Sequence, residues 1–210
     1  LAVAKARLKR NKIDILGMDS CMMSTAEVYY EVRKSVRFLV AAEGFVANAG
    51  WPYQDILCRL TGTPAETAAK IVSDYIKFLF EYAIGGQSAD LSACDVTLWR
   101  QLKTAVRNLK DALSEALDHP LFLDAVVLAH WRAQSYQSDQ TVDLVDFALK
   151  LKKEAGKIYN EAARHSYLPR GGTKSGKQFD PVALKIKINE ACDTVVKVLL
   201  GDGKKGKPIV

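Results

Sequence analysis

The chain has 210 residues, 49% hydrophobic and 26% charged, with a net charge of +6. That length fits one domain or a domain with an appendage, and the globular composition excludes a disordered chain, a collagen-like chain and a disulfide miniprotein. The longest apolar run, Phe122 to Ala129 broken by Asp124, is too short to span a bilayer, so no transmembrane helix is expected.

The start, Leu1-Ala2-Val3-Ala4-Lys5, has no Met and no apolar core followed by a small-residue cleavage site, so it is not a signal peptide. The expectation is a trimmed chain or a piece of a longer one. Residues 1–12 read as the end of a helix, basic in its last turn. Ile13 to Met18 is an apolar run with Gly17 near its end and predicts a buried strand. A helix is expected to open at Ser20 and run through Arg33. Val36 to Ala42 predicts a second strand, followed by a loop with Gly44, Asn48, Gly50 and Pro52. Gln54 to Leu60 reads as a short helix and Pro64 to Tyr82 as a long one. Thr63 is its expected N-cap, Pro64 its first residue, and Gly85-Gly86 its stop.

Ala89 to Val96 predicts a third strand. From Thr97 to Asp118 the apolar residues Leu98, Leu102, Ala105, Leu109, Ala112 and Ala116 recur at helical period. Another helix follows Pro120, then a polar break from Gln134 to Gln140. Val142 to His165 is again helical, Pro169 to Gly176 is a Gly/Lys-rich loop, and Pro181 to Leu200 is the last helix. Gly201 to Val210 reads as a basic tail. Continuously apolar strands alternating with helices indicate an α/β fold, its sheet mainly parallel and covered on both faces. Three strands are few for such a sheet, so it is expected to continue in sequence outside this chain. The division expected is 1–118 and a helical region 119–210.

In such sheets functional groups gather at the carboxyl ends of strands. Cys21 falls there, expected at a helix N-terminus where the dipole favours its thiolate and its own N–H can face an oxyanion. A buried structural cysteine is the other reading of that position, and both stand. Cys58, Cys94 and Cys192 lie among apolar neighbours and read as buried free thiols. No CxxC pair is present, so neither a zinc site nor a redox pair is indicated. His119, His130 and His165 lie in helical or helix-flanking stretches, which suits solvated or capping roles. Lys150 to Lys153 reads as a solvated helix face. Lys174 to Lys177 and Lys204 to Lys207 lack interleaved aromatics, so no nucleic-acid partner is expected.

The segment Ile15-Leu16-Gly17-Met18-Asp19-Ser20-Cys21-Met22-Met23, with Glu27-Val28, resembles the nucleophile segment of the clostripain family of cysteine peptidases. Three further stretches follow in register. Phe38-Leu39-Val40-Ala41-Ala42-Glu43-Gly44, then Gly50-Trp51-Pro52-Tyr53, is similar to that family's next strand and its Gly-Trp-x-Tyr loop. Leu91-Ser92-Ala93-Cys94-Asp95 resembles a later strand, and Ala133 to Tyr136 with Val142-Asp143-Leu144 a last segment. The resemblance spans residues 13–147.

It implies a caspase-like α/β/α sandwich, of which residues 1–118 supply the C-terminal part of the peptidase domain, with residues 119–210 packed on it. It implies a Cys–His dyad whose histidine precedes the cysteine in a His-Gly turn. Every histidine here follows Cys21, so the catalytic histidine is expected on a preceding segment or on a separate light chain released by proteolytic processing. The activity implied is a cysteine endopeptidase acting on polypeptides after Arg or Lys. Asp19, two residues before Cys21, is expected on the same side of the strand end, at the floor of the pocket for the basic residue. A helix N-cap is its alternative role. Glu43 is a candidate for a wall of that pocket, although Ala42 stands where the family has a serine and Gly44 where it has an acid. Trp51 is a candidate apolar wall or a core residue, and Asp95 a further pocket candidate. No metal or other cofactor is expected. Calcium enters only through relatives, and no acidic loop here has calcium-site spacing. A caspase-like scaffold without catalysis, used for interaction or regulation, is the alternative function.

Overall fold

A computed structural model describes residues 12–81, 90–136, 138–164 and 179–201. The expected helix end before Lys12, the Gly85-Gly86 stop, His165, the loop at 169–176 and the tail beyond Gly201 lie outside the described residues. The described residues fall into two compact units, the first running to Arg100 and the second starting at Gln101.

The first unit is built on three strands, β1 (Ile13–Met18), β2 (Val36–Ala41) and β3 (Ser92–Asp95), in that order across the sheet. β1 and β2 run parallel, with Ile15 opposite Phe38 and Gly17 opposite Val40. β3 is antiparallel to β2, with Ala93 opposite Val40, so the described sheet is mixed. The crossover from β1 to β2 carries a short helix, α1 (Ala26–Val32). After β2 come α2 (Tyr53–Cys58) and α3 (Pro64–Glu81). Alternation places Ile15, Gly17, Phe38, Val40 and Ala93 on one face. Val40 packs there with Trp51, Ile56 and the α3 residues Ala68, Ile71 and Tyr75. Thr63 and Glu66 cap α3 reciprocally: Thr63 N–H donates to Glu66 Oε2 at 2.9 Å, and Glu66 N–H to Thr63 Oγ1 at 3.3 Å.

The helix expected from Ser20 starts instead at Ala26, with Thr25 as its N-cap. Met22 has φ 58°, in the left-handed region, which ends any helical run through it. Its N–H donates to Gly44 O at 2.9 Å, and Ser24 N–H donates to Ala42 O at 2.9 Å. Residues 22–24 are therefore tied to the chain leaving β2.

The second unit holds most of α4 (Trp99–Ala116), which follows a 3-10 turn at Val96–Leu98. Then come α5 (Pro120–Arg132), β4 (Ser135–Tyr136), β5 (Ser138–Val142), α6 (Leu144–Arg164) and α7 (Pro181–Leu200). The polar break is a small antiparallel pair, Ser135 opposite Val142. The core is alanine-rich at the helix contacts: Ala105 and Ala112 from α4, Ala125 and Ala129 from α5, Ala148 and Ala155 from α6. Leu184, Ile188 and Val195 of α7 complete it. Small side chains at these positions let helix backbones approach closely. Among the described residues no helix is long and apolar enough to cross a membrane.

Glu154 is 3% exposed within this unit, and its Oε1 meets Arg132 Nη1 at 2.6 Å and Lys157 Nζ at 3.2 Å. Burial opposes its ionisation, but the bonds and charges of Arg132 and Lys157 outweigh burial and hold its carboxyl below the usual range. A depressed carboxylate contributes stability above its unfolded pKa of about 4.3 and loses it as pH falls through the folded value. Glu154→Gln is therefore expected to lower the thermal midpoint at neutral pH, with the difference from wild type shrinking below about pH 4. Parallel melts from pH 7 to pH 3 check this.

Candidate active site

The carboxyl ends of β1 and β2 carry the candidate residues. Gly17 is needed one turn of pleat before the end of β1, because a Cβ there would lie 2.7 Å from Trp51 Cζ3. The Trp51 indole thus lies against strand backbone, 7% exposed, with its ring centroid 6.3 Å from that of Tyr75. Its Nε1 is buried without a hydrogen-bond partner. Trp51 is a core residue that also lines the cavity described next.

Asp19 follows β1 directly. Its Oδ2 accepts from Trp51 N–H at 3.1 Å and from Tyr53 Oη at 2.7 Å. Gly50, with φ 67°, brings its backbone close enough that an added Cβ would sit 2.9 Å from the same oxygen. The Gly50–Tyr53 turn thus wraps the carboxylate. The Asp19 hydrogen bond, then burial and the carboxylate's charge, raise the Tyr53 phenol above its ordinary pKa, so the hydroxyl remains a donor. Asp19, Trp51 and Tyr53 line a cavity of about 490 Å³ with Gly17, Ile56 and Ile71. The helix-cap alternative for Asp19 is removed, because the first helix begins seven residues later and Thr25 caps it.

Cys21 is half-buried, and its Sγ accepts from Val46 N–H at 3.2 Å. It does not sit at a helix N-terminus, as expected from sequence, because Met22 turns the chain away. The group that faces its sulfur is this backbone N–H. Behind it, Ser24 Oγ lies 3.0 Å from Tyr29 Oη and 2.7 Å from Ser92 Oγ, and Ser92 donates to Ala41 O at 3.2 Å. This network ties the segment after Cys21 to β2 and β3.

The structure does not bring the other two carboxylates to that cavity. Glu43 follows β2, and its N–H donates to the Asp90 carboxylate. Asp95 lies opposite Phe38, away from the carboxyl end of β2, because β3 runs antiparallel. Its Oδ1 accepts from Thr97 N–H at 2.9 Å and caps the 3-10 turn. Burial pushes the Cys94 thiol up to about 11 and the Cys192 thiol up to about 12, which keeps both protonated and inert. Cys58, expected buried, is exposed. Ile56 is the buried residue of α2, and two residues on, about 200° around the helix, Cys58 faces outward.

Residues 1–100 contain no histidine. In the second unit, His119 precedes α5 and stacks on Phe179 at 3.6 Å between ring centroids, and His130 lies in the last turn of α5. Among the described residues no group of three or more His, Cys, Asp or Glu side chains is placed to hold a metal ion. Sequence reasoning missed Tyr53, Val46 and Asp90. Tyr53 was signalled by its place in the Gly-Trp-x-Tyr loop, whereas nothing in sequence marked a backbone N–H or Asp90.

Residues 2–174 match the family model of the clostripain family, peptidase C11. The chain belongs to the clostripain family. It is accordingly a cysteine peptidase, a hydrolase. Among solved structures it is similar to a clostripain from Bacteroides thetaiotaomicron ATCC 29148 in complex with a peptide inhibitor, BTN-VLTK-AOMK. That pair shares 18% identity at a TM-score of 0.50, covering 78% of this chain and 69% of that one. A B. fragilis cysteine protease gives 17% identity and a TM-score of 0.44, covering 91% and 69%. An inactive zymogen C11 protease from Parabacteroides distasonis gives 17% and 0.49, covering 72% and 44%. No curated protein matches. The clostripain fold is thus the caspase-like α/β arrangement expected, seen here as a three-stranded sheet with helices.

Proposed function

We propose that this clostripain-family chain is the nucleophile-bearing part of an endopeptidase that cuts polypeptides after Arg or Lys. The observation that carries the reading is the Asp19 carboxylate, close in sequence to Cys21 and set in the wall of a cavity that Trp51, Ile56, Leu57 and Ile71 also line, together with a second carboxylate, Asp14. Both of its hydrogen bonds fall on Oδ2, so Oδ1 is available to a guanidinium or ammonium. A basic side chain leaves water for such a site only when a carboxylate meets it, while its methylenes cover Trp51 and Ile56.

In the proposed reaction the Cys21 thiolate attacks the carbonyl carbon after the basic residue, and a C–S bond forms. The developing oxyanion faces the Cys21 N–H. A histidine takes the thiol proton and delivers it to the leaving amine as the C–N bond breaks. Water then hydrolyses the thioester, releasing the acid and restoring the thiol. The histidine is assigned to a segment preceding this chain or to a light chain separated by proteolytic processing. The place of β1 supports that assignment: it ends the strand order and pairs only with β2 among the described strands. An open edge of this kind accepts one more strand, which would end beside Cys21. Glu43 and Asp95 receive no contact with the substrate in this reading.

Covalent labelling tests it. A biotinylated peptide with lysine next to its electrophilic group should modify Cys21 in the full-length protein, located by mass spectrometry. A peptide differing only in carrying aspartate there should label at least about a hundredfold more slowly. Equal labelling by the two, or modification of Cys58 alone, would overturn the proposal.

A further inference from the structure

We propose that Asp90 is a positioning residue for the Cys21 sulfur, acting through the loop that follows β2. The proposal rests on Cys21 being the nucleophile. The Asp90 carboxylate accepts from Glu43 N–H and, through both oxygens at 3.1 Å, from Gly44 N–H. Charge-assisted bonds to two successive N–H groups fix the path of the loop at that point. The same loop holds the nucleophile from two sides. Gly44 O accepts Met22 N–H at 2.9 Å, and Val46 N–H donates to Cys21 Sγ at 3.2 Å. One carboxylate thereby sets both the backbone that turns the chain after Cys21 and the donor that faces its sulfur.

The alternative role for Asp90 is a plain electrostatic one, and the two roles predict opposite results. A negative charge near a thiolate disfavours it, so removing the charge alone would raise the reactivity of Cys21. Loss of positioning lowers it, because a nucleophile misplaced by about 1 Å can lose on the order of a hundredfold in rate.

The experiment uses the three thiols other than Cys21 as internal references in the full-length protein. Exposed Cys58 reports reagent strength, and buried Cys94 and Cys192 report unfolding. Iodoacetamide rates are measured at each cysteine by mass spectrometry, with kcat and KM for a peptide substrate alongside. Asp90→Ala should lower the Cys21 rate relative to Cys58 at least about tenfold and lower kcat by a similar factor, with KM within about twofold. Asp90→Asn keeps an acceptor without the charge and should remain within about threefold of wild type. Asp90→Glu keeps the charge but displaces the loop by a methylene, and should behave like the alanine variant. Should Asp90→Ala expose Cys94 and Cys192, the Asn and Glu variants decide. Wild-type rates in both variants, both slowed, or Asn slowed with Glu normal, would each overturn the positioning role. A wild-type Cys21 no faster than Cys58 would instead overturn the nucleophile reading beneath it.

Discussion

Cys21→Ala is expected to abolish peptide hydrolysis, with a loss on the order of 10⁶-fold, while the chain stays folded. The magnitude follows from the role: covalent catalysis through a thioester has no substitute when the sulfur is gone. The structure argues that the fold survives. Cys21 is only half-buried, and the bond its sulfur accepts from Val46 N–H comes from a loop held independently through Asp90 and Met22. A side chain placed so loosely contributes about 1 kcal/mol or less to stability. Hydrolysis of a fluorogenic peptide and a thermal melt, run on one preparation, separate the two effects. Residual turnover at more than a few per cent of wild type would count against Cys21.

The second large effect is expected at Asp19. Removing one partner of a desolvated charge pair costs on the order of 3–5 kcal/mol, a factor of hundreds to thousands in kcat/KM. Asp19→Asn should therefore lower turnover of Arg and Lys substrates at least about a hundredfold. The variant is a mild one structurally, because the asparagine carbonyl can still accept from Trp51 N–H and Tyr53 Oη, the bonds that fix this corner. Cys21 should keep its reactivity toward a small alkylating agent. The assay is a panel of peptides differing only at the residue before the cut. A wild-type preference for acidic or apolar residues would defeat the pocket assignment. An unchanged basic preference in the variant would pass the role to another carboxylate, such as Asp14, which lines the same cavity.

Much of this site was legible in sequence, and the missing parts share a physical cause. The apolar run from Ile13 to Met18 and the Pro181–Leu200 helix were bounded correctly, because local pattern and end signals agree there. Thr63 and Pro64 marked the start of α3 for the same reason. The helix expected from Ser20 failed because its backbone donors go to Ala42 and Gly44, some twenty residues away, and no local signal competes with that. The direction of β3 is unreadable, since a strand of four residues, Ser92–Asp95, carries no mark of parallel or antiparallel pairing. The pair at Ser135–Val142 is polar and short, and so reads as loop. Asp19 and Cys21 are candidates from spacing and resemblance. Tyr53, Val46 and Asp90 act through one hydroxyl, one amide and one carboxylate whose partners only the folded chain brings near.

The packing of Trp51 against Gly17 has an optical side. Of the three tryptophans, Trp51 is the buried one, Trp99 is half-buried and Trp131 is 81% exposed. An indole shut among apolar side chains, its N–H unbonded, emits to the blue of one in water, so the light from Trp51 stands apart from that of Trp131. Because the same ring walls the cavity beside Asp19, a cation or peptide entering there changes the surroundings of this one fluorophore. The site thus carries its own reporter of occupancy, readable without a label and in a Cys21→Ala protein that turns nothing over.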